Sequence, residues 1–216
     1  MSWKKNLERR GGFYGDTYWY DYNLSRRMPL VKPMIEELVA SLPPCSEQKV
    51  LDLCSGSGNL AECVLHAYPS ISNLVLLDSS AERLQIAKTR VEAVPSNASI
   101  NLLEYIIDLS NQSKLPDGPY NLIVGSLALH PLIEKPAHYA TKGVKSNENS
   151  TSSDSYESLF KILYNSLSPK GHLIFGDHVG QLSLYEQLVM MTKVGFIDVD
   201  CSWRQSDFFI AGGRRP

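Results

Sequence analysis

Short apolar runs alternate with amphipathic stretches along most of the chain, and this alternation is typical of an α/β layer fold. Where apolar residues fill a run completely, as in residues 74–77, the strand is expected to be buried on both faces of a mostly parallel sheet. The pattern predicts strands at residues 49–53, 73–77, 101–107, 120–126 and 172–176. It predicts helices at about residues 30–42, 59–68, 81–91 and 156–167.

The C-terminal part of the chain carries a different pattern. Residues 196–203 and 207–211 are two strand-like runs joined by three residues, a link that permits a hairpin but no helical crossover. We therefore predict an α/β fold with a doubly wound, mostly parallel sheet of seven strands, in which a C-terminal antiparallel hairpin closes one edge. The spacing of Ser79 and Glu82 predicts a capping box at the start of the third helix.

Composition and charge narrow the class of protein. The 216 residues, 43% of them hydrophobic, are enough for one large core. A formal net charge of -2 disfavours nucleic acid and anionic membranes as partners. The four cysteines form no Cys-x-x-Cys pair, which favours a reducing compartment over a disulfide framework or a zinc site. With no apolar leader and no run long enough to span a bilayer, we expect a cytoplasmic protein without a metal.

Two segments differ from the rest of the chain. Residues 133–155 are polar and end in a serine-rich stretch, so we expect a mobile insertion. Residues 1–29 are rich in basic and aromatic side chains, and six of the ten residues from 13 to 22 are aromatic. We interpret residues 1–29 as a lid over the site of a domain formed by residues 30–216. The alternative is that these aromatic residues belong to the core.

The lid would supply side chains to a bound substrate. Aromatic rings shield a reaction from water and attract a cation, and an arginine binds a carboxylate. A solvated charge at a helix start is the alternative for the arginine. The candidate substrate-binding residues are Tyr14, Tyr18, Trp19, Tyr22 and Arg26.

The strand at residues 49–53 runs into a loop with two glycines, Gly56 and Gly58, and then into a helix. Such a loop lets a ligand approach the backbone at the carboxyl edge of the sheet. It also fits the dinucleotide fingerprint, because Asp78 follows Gly58 by twenty residues. Asp52 distinguishes a dinucleotide from a cationic ligand, since a carboxylate there would repel a pyrophosphate and attract an ammonium or sulfonium group. S-adenosylmethionine carries both of these cations.

The run at residues 50–58 resembles motif I of class I S-adenosylmethionine-dependent methyltransferases, and residues 76–84 resemble the second motif. Residues 120–130 and 167–175 are similar to the fourth and fifth motifs, and the terminal hairpin fits as well. The likeness extends over about residues 30–213 and is nearest to the small-molecule, UbiE-like branch of this Rossmann-like fold. The chain departs from the family in two places. Cys54 stands at the position of the usual first glycine, and residues 133–155 form an insertion where the branch normally has a brief loop.

The resemblance implies that the cofactor is S-adenosylmethionine and that the product is S-adenosylhomocysteine. Asp52 would meet the methionine ammonium, Asp78 the ribose hydroxyls and Asp108 the adenine. The alternatives are a strand-end cap for Asp52 and a helix cap for Asp78. The thiol of Cys54 is expected to pack rather than react. The implied cofactor-binding residues are Asp52, Cys54, Gly56, Gly58, Asp78, Ser79, Asp108, Leu109, Ser126 and Leu127.

Methyl transfer from a sulfonium needs mainly alignment and exclusion of water. A hydroxyl or protonated amine acceptor also needs a base, and His130 stands at the carboxyl end of the fourth predicted strand. Asp177 and His178 follow the fifth strand at the same edge. These three residues are the catalytic candidates, and a structural histidine is the alternative for His130.

The sequence therefore predicts a methyltransferase that acts on an oxygen, nitrogen or carbon atom of a small molecule, as a monomer or a homodimer. Two alternatives share the nucleotide loop. One is an NAD-dependent Rossmann oxidoreductase, and the other is a catalytically silent subunit of methyltransferase fold that binds a partner. A tRNA acceptor is disfavoured by the charge balance, although the N-terminal stretch is basic.

Overall fold

The structure is a computed structural model that describes residues 21, 24, 26–133, 152–180 and 182–216. Its strands are β1 (Lys49–Leu53), β2 (Asn73–Asp78), β3 (Ser99–Glu104), β4 (Tyr120–Ser126), β5 (Leu167–His178), β6 (Ile197–Gln205) and β7 (Phe208–Arg214). Its helices are α1 (Val31–Ala40), α2 (Asn59–Ala67), α3 (Ala81–Glu92), α4 (Leu129–Ile133), α5 (Ser152–Ser166) and α6 (Leu184–Val194).

The seven strands form one sheet in the order β3-β2-β1-β4-β5-β7-β6. The pairs from β3 to β5 are parallel, whereas β7 is antiparallel to both β5 and β6. The predicted doubly wound sheet is thus confirmed. The predicted C-terminal antiparallel hairpin is also confirmed at one edge of the sheet, where β7 lies between β5 and the edge strand β6.

Helices cover both faces of this sheet, and each face has its own apolar cluster. Val50 packs with α1, α2 and α3, while its neighbours Leu51 and Leu53 pack on the opposite face with α5. Side chains alternate between the two faces of a strand. Asp52 therefore shares the face of Val50, next to α1 and α2, at the carboxyl end of β1. This end of β1 lies between β2 and β4, where the strand order reverses and open α/β sheets bind ligands.

The observed strands follow the predictions closely where apolar runs are continuous. β1 and β4 have the predicted bounds, whereas β3 begins two residues early and ends at Glu104 instead of residue 107. The helix cap is also displaced: Ser80, not Ser79, accepts the N–H of Arg83, and no capping box forms with Glu82 there. The observed capping box lies elsewhere, at the start of α6, which was not predicted.

The two ends of the predicted insertion, residues 133 and 152–155, are helical. Ile133 is buried in α4, and residues 152–155 form the first turn of α5. Residues 134–151 lie outside the described part of the chain. Among the described residues, no helix has the length and apolar character needed to cross a membrane.

Candidate active site

The loop after β1 is built on three residues with left-handed backbone. Cys54 has φ 53°, Gly56 has φ 53° and Gly58 has φ 82°. A residue with a Cβ is strained in this conformation, and glycine is not. The structure thus explains why a glycine is usual at the position of Cys54.

Gly56 and Gly58 have different steric surroundings. A Cβ on Gly58 would lie 3.0 Å from both Cα and Cβ of Ala87, whereas a Cβ on Gly56 would meet nothing nearer than 3.9 Å. Gly58 therefore lets α2 pack closely against α3. The backbone at Gly56 is sterically open, whereas that at Gly58 is not; the predicted role of both glycines in opening the loop to a cofactor stays a prediction.

Asp52 is a buried acid with incomplete hydrogen bonding. It is 1% exposed, and the nearby backbone N–H of Ala61, in the first turn of α2, offsets part of the rise in its pKa. Its Oδ2 atom has no partner among the described residues. Burial, followed by the charge of Asp78, raises the pKa of Asp52 to about 8. The carboxylate is therefore an uncompensated site that a cation would stabilise.

Asp78, at the end of β2, is 4% exposed and holds the loop together. Its Oδ2 accepts the Gly56 N–H at 3.0 Å and its Oδ1 accepts the Ser80 N–H at 3.0 Å. Because each carboxylate oxygen has about two acceptor positions, capacity for further donors remains on both atoms. Ser79 itself is exposed.

A cavity of about 50 Å³ lies between this loop and α1. Its lining joins the end of β1, the glycine loop and the residues after β4, which were predicted separately from the sequence. The lining includes Asp52, Ser55, Gly56, Ser126, Leu127 and, from the N-terminal segment, Leu24.

Asp108 lies apart from this cavity. It follows the end of β3 by four residues and is exposed. Its Oδ1 accepts the Ser110 N–H at 2.9 Å and the Ser110 hydroxyl at 2.6 Å, which lowers its pKa. The structure does not bring Asp108 to the cavity lining, and Leu109 packs half-buried against the core.

The thiol of Cys54 is held in its neutral form. Burial, with a further contribution from the charge of Asp78, raises its pKa. Because the thiolate is the reactive form of cysteine, this environment fits the expected packing role. Cys54 lines the cavity and packs against the core cluster.

His130, Asp177 and His178 form a cluster at the ends of β4 and β5. Asp177 is 2% exposed. Its Oδ2 accepts the N–H groups of Leu129 (3.0 Å) and His130 (3.1 Å). Its Oδ1 accepts the His178 N–H at 2.8 Å and pairs with Nδ1 of His130. The two imidazole rings lie 4.0 Å apart between centroids. The three catalytic candidates are therefore adjacent in space.

The same cluster has metal-ligand residue types, with ligand atoms within 4.8 Å of one another. Its hydrogen bonds argue for a different use. A carboxylate has about four acceptor positions, and four donors already occupy those of Asp177. The arrangement thus fits a carboxylate that orients a histidine and fixes its tautomer.

An ionic network beside the glycine loop was not predicted. Oδ1 of Asp21 accepts the Ser57 hydroxyl at 2.6 Å and Nδ2 of Asn59 at 3.0 Å. Arg90, on α3, binds Oδ2 of Asp21 at 2.9 Å and lies 3.6 Å from Glu62. Asp21 and Arg90 are 69 positions apart, and no local pattern in the sequence relates them.

The predicted substrate-binding residues are described only in part. Arg26 is exposed. Tyr14, Tyr18, Trp19 and Tyr22 lie outside the described residues.

Comparison with known proteins agrees with this geometry. A family model described as "Methyltransferase small domain" matches residues 34–130, the part of the chain that contains the cavity loop. No curated protein matches the chain.

Solved structures share the fold over most of the chain. An O-methyltransferase family protein from Burkholderia thailandensis superposes with a TM-score of 0.65 at 13% identity, over 92% of this chain and 59% of that one. Human N-acetylserotonin methyltransferase, in complex with S-adenosylmethionine, gives 0.63 at 14% identity over 94% and 57%. An S-adenosylmethionine-dependent methyltransferase from Mesorhizobium loti gives 0.57 at 16% identity over 83% and 96%.

The chain spans less than two thirds of the length of the first two of these proteins, and at such identities the likeness shows the fold. The family match covers residues 34–130, which include β1 and the glycine loop after it. On this evidence residues 34–130 match the methyltransferase small domain, and the chain has the fold of S-adenosylmethionine-dependent methyltransferases.

Proposed function

We propose that this chain transfers the methyl group of S-adenosylmethionine to a small molecule. The observation that carries the proposal is the buried carboxylate of Asp52, which lies beside the glycine loop with one oxygen unpartnered among the described residues. A cationic nucleoside would ionise Asp52 and pair with it, whereas a pyrophosphate would gain no ion pair from this acid. This difference favours the methyltransferase over the NAD-dependent alternative.

In this proposal each cofactor-binding residue contacts a different part of the cofactor. Asp52 accepts the ammonium, and the backbone at Gly56 lies against the nucleoside because no Cβ blocks the approach. Asp78 uses its remaining acceptor positions for the ribose hydroxyls. Ser126 and Leu127, which line the same cavity, meet the methionine end. The adenine contact of Asp108 remains a prediction.

A small hydroxyl compound is the acceptor class that we favour. The net charge of -2 does not attract a nucleic acid. Two of the similar structures are an O-methyltransferase family protein and N-acetylserotonin methyltransferase.

The four cysteines are free, which supports a reducing, cytoplasmic location. A monomer or a homodimer remains our expectation for the assembly.

The mechanism needs alignment and a base. S-adenosylmethionine supplies a methyl group on a sulfonium, which departs as a neutral thioether. Asp177 holds Nδ1–H of His130, so that Nε2 can take the proton of the acceptor hydroxyl as its oxygen forms the new bond to carbon. His178 packs on the His130 ring. The N-terminal segment would exclude water, and its described residue Leu24 already lines the cavity.

Labelled S-adenosylmethionine tests the proposal with panels of phenols, aliphatic alcohols and amines. We expect transfer to a hydroxyl acceptor, and His130→Gln should lower kcat by about 10²-fold or more while S-adenosylhomocysteine affinity changes little. His178→Gln is the matched control and should lower kcat less. Binding of NAD without binding of S-adenosylhomocysteine would contradict the proposal. Tight binding of S-adenosylhomocysteine, with no methyl transfer to any compound of the panels or to a cell extract, would favour the catalytically silent subunit.

A further inference from the structure

A network of four side chains joins the N-terminal segment to the loop after β1. Oδ1 of Asp21 accepts the Ser57 hydroxyl at 2.6 Å and Nδ2 of Asn59 at 3.0 Å. Its Oδ2 binds Nη2 of Arg90, in the last turn of α3, at 2.9 Å. Nη1 of Arg90 donates to Ser57 and Asn59, and Asn59 donates to Ser57. Each of the four side chains therefore contacts the other three.

The network connects two walls of the cavity. Ser57 and Asn59 line the cavity themselves, and Leu24 lines it from the N-terminal segment. Leu24 is 8% exposed and packs in the same apolar cluster as Val31. Asp21 and Leu24 are both helical, and a spacing of three positions places side chains on one face of a helix. The contacts that fix Asp21 therefore also fix Leu24 at the cavity.

The ion pair between Asp21 and Arg90 is a stronger anchor than an ordinary surface pair. The two side chains are 23% and 25% exposed, whereas those of the pair Lys88–Glu92 in the same helix are 42% and 54% exposed. An exposed pair contributes little, and partial burial with a charge-assisted hydrogen bond strengthens the attraction. Loss of this pair should therefore release the N-terminal segment more than loss of any neutral contact in the network.

The position of Asp21 indicates how the network would act on a ligand. Asp21 is not part of the cavity lining in the described part of the chain, so it acts through the residues that it holds. A ligand in the cavity lies against Leu24 and leaves when Leu24 moves away. The rate of departure then depends on how often the network opens, as it does where a lid limits product release.

We propose that Asp21 and Arg90 form a clamp that holds the Leu24 wall against the bound cofactor and so sets how fast the cofactor leaves. Both are positioning residues, since the clamp acts on the ligand through Leu24. This inference rests on the proposed function and deepens it, because it concerns how that same site retains its ligand.

Surface plasmon resonance with S-adenosylhomocysteine over the immobilised full chain tests the clamp. In Asp21→Asn, which removes the charge that faces the guanidinium, we expect dissociation about tenfold faster, the scale of one lost charged hydrogen bond. The association rate should change less than about threefold, because the residues of the cavity lining are unchanged. A pair that only supports the fold would lower the melting temperature and leave the dissociation rate at its wild-type value.

Glu62→Gln is the matched control. Glu62 lies 3.6 Å from Arg90 but belongs to α2, so its loss removes an acid beside the guanidinium and leaves the N-terminal segment anchored. Dissociation from this variant should be less than about twofold faster than from the wild type. Arg90→Gln should match Asp21→Asn. The double variant should be no faster than either single one, because removal of one partner already opens the clamp.

The outcomes separate the clamp from the proposed function. Wild-type dissociation in Asp21→Asn, or two single effects that multiply in the double variant, would overturn the clamp alone. An effect of Glu62→Gln as large as that of Asp21→Asn would overturn it as well. Because Asp21→Asn leaves α2 and α3 unchanged, it covers the case that Arg90→Gln folds poorly. Failure of the folded wild type to bind S-adenosylhomocysteine would overturn both the clamp and the proposed function.

Discussion

The two buried carboxylates at the carboxyl edge of the sheet have opposite environments. Asp177, at the end of β5, accepts three backbone N–H groups and pairs with His130. Asp52, at the end of β1, leaves Oδ2 without a partner among the described residues, and its pKa is raised to about 8 by burial. A satisfied acid orients its neighbours, whereas an unsatisfied acid destabilises the free protein and favours a ligand.

The largest effect should come from removing the satisfied acid. Asp177→Ala leaves the buried N–H groups of Leu129, His130 and His178 without their acceptor, and each such group costs about 1–3 kcal/mol. We expect the free energy of unfolding to fall by about 3 kcal/mol or more, measured by urea denaturation. A loss below about 1 kcal/mol would show that Asp177 does not hold this edge together.

The glycines near Asp52 separate packing from ligand approach. Gly58→Ala should lose about 2 kcal/mol of stability, because left-handed backbone and contact with Ala87 both disfavour a Cβ. Gly56→Ala should lose about 1 kcal/mol from backbone strain alone, and yet weaken S-adenosylhomocysteine binding more than its stability loss explains. Denaturation and calorimetry on both variants check this. Equal stability losses would contradict the assignment.

The unsatisfied acid makes stability depend on pH. The folded chain holds the proton of Asp52 up to about pH 8, whereas the unfolded chain releases it near the ordinary carboxyl range. The contribution of Asp52 to the free energy of unfolding is therefore fully present below the ordinary carboxyl range. It is lost as the pH rises from that range through about 8, by up to about 1.4 kcal/mol per pH unit. Asp52→Asn should remove this part of the slope. Denaturation of both proteins at several pH values measures it, and an unchanged slope would contradict the burial argument.

The smallest effect concerns the strained residue beside Asp52. Cys54→Gly and Cys54→Ala both remove the sulfur, but only glycine is free of strain at φ 53°. The glycine variant should therefore be more stable than the alanine variant by about 1 kcal/mol. If thermal denaturation ranks alanine above glycine, the left-handed turn is not required at this position.

Much of the fold could be predicted because its signals are local. The continuous apolar runs of β1 and β4, and the glycines that follow β1, depend on residues that are neighbours in sequence. The helix α6 was not predicted, although Ser183 and Glu186 form its capping box. The place of β7 was not predictable, since a hairpin fixes the pairing of its two strands but not which strand meets β5.

The site was predictable to the level of the sheet edge. Parallel strands bring their carboxyl ends together, so His130 and Asp177 were expected on the same side without any expectation of their hydrogen bond. The pairing of Asp21 with Arg90 depends on tertiary contacts, and no periodic pattern in the sequence indicates it. The contacts of Asp108 were not predictable either, because β3 ends early and Asp108 accepts hydrogen bonds from Ser110; its adenine contact stays a prediction.

Proton release on cofactor binding tests the central claim most directly, because it reports the charge of Asp52 itself. Calorimetry of S-adenosylhomocysteine binding at pH 7, in two buffers of different ionisation enthalpy, counts the protons exchanged. The wild type should release on the order of one proton as the ammonium ionises Asp52. Asp52→Asn should bind more weakly and release almost none. Wild-type binding without proton release, or equal release by both proteins, would contradict the account.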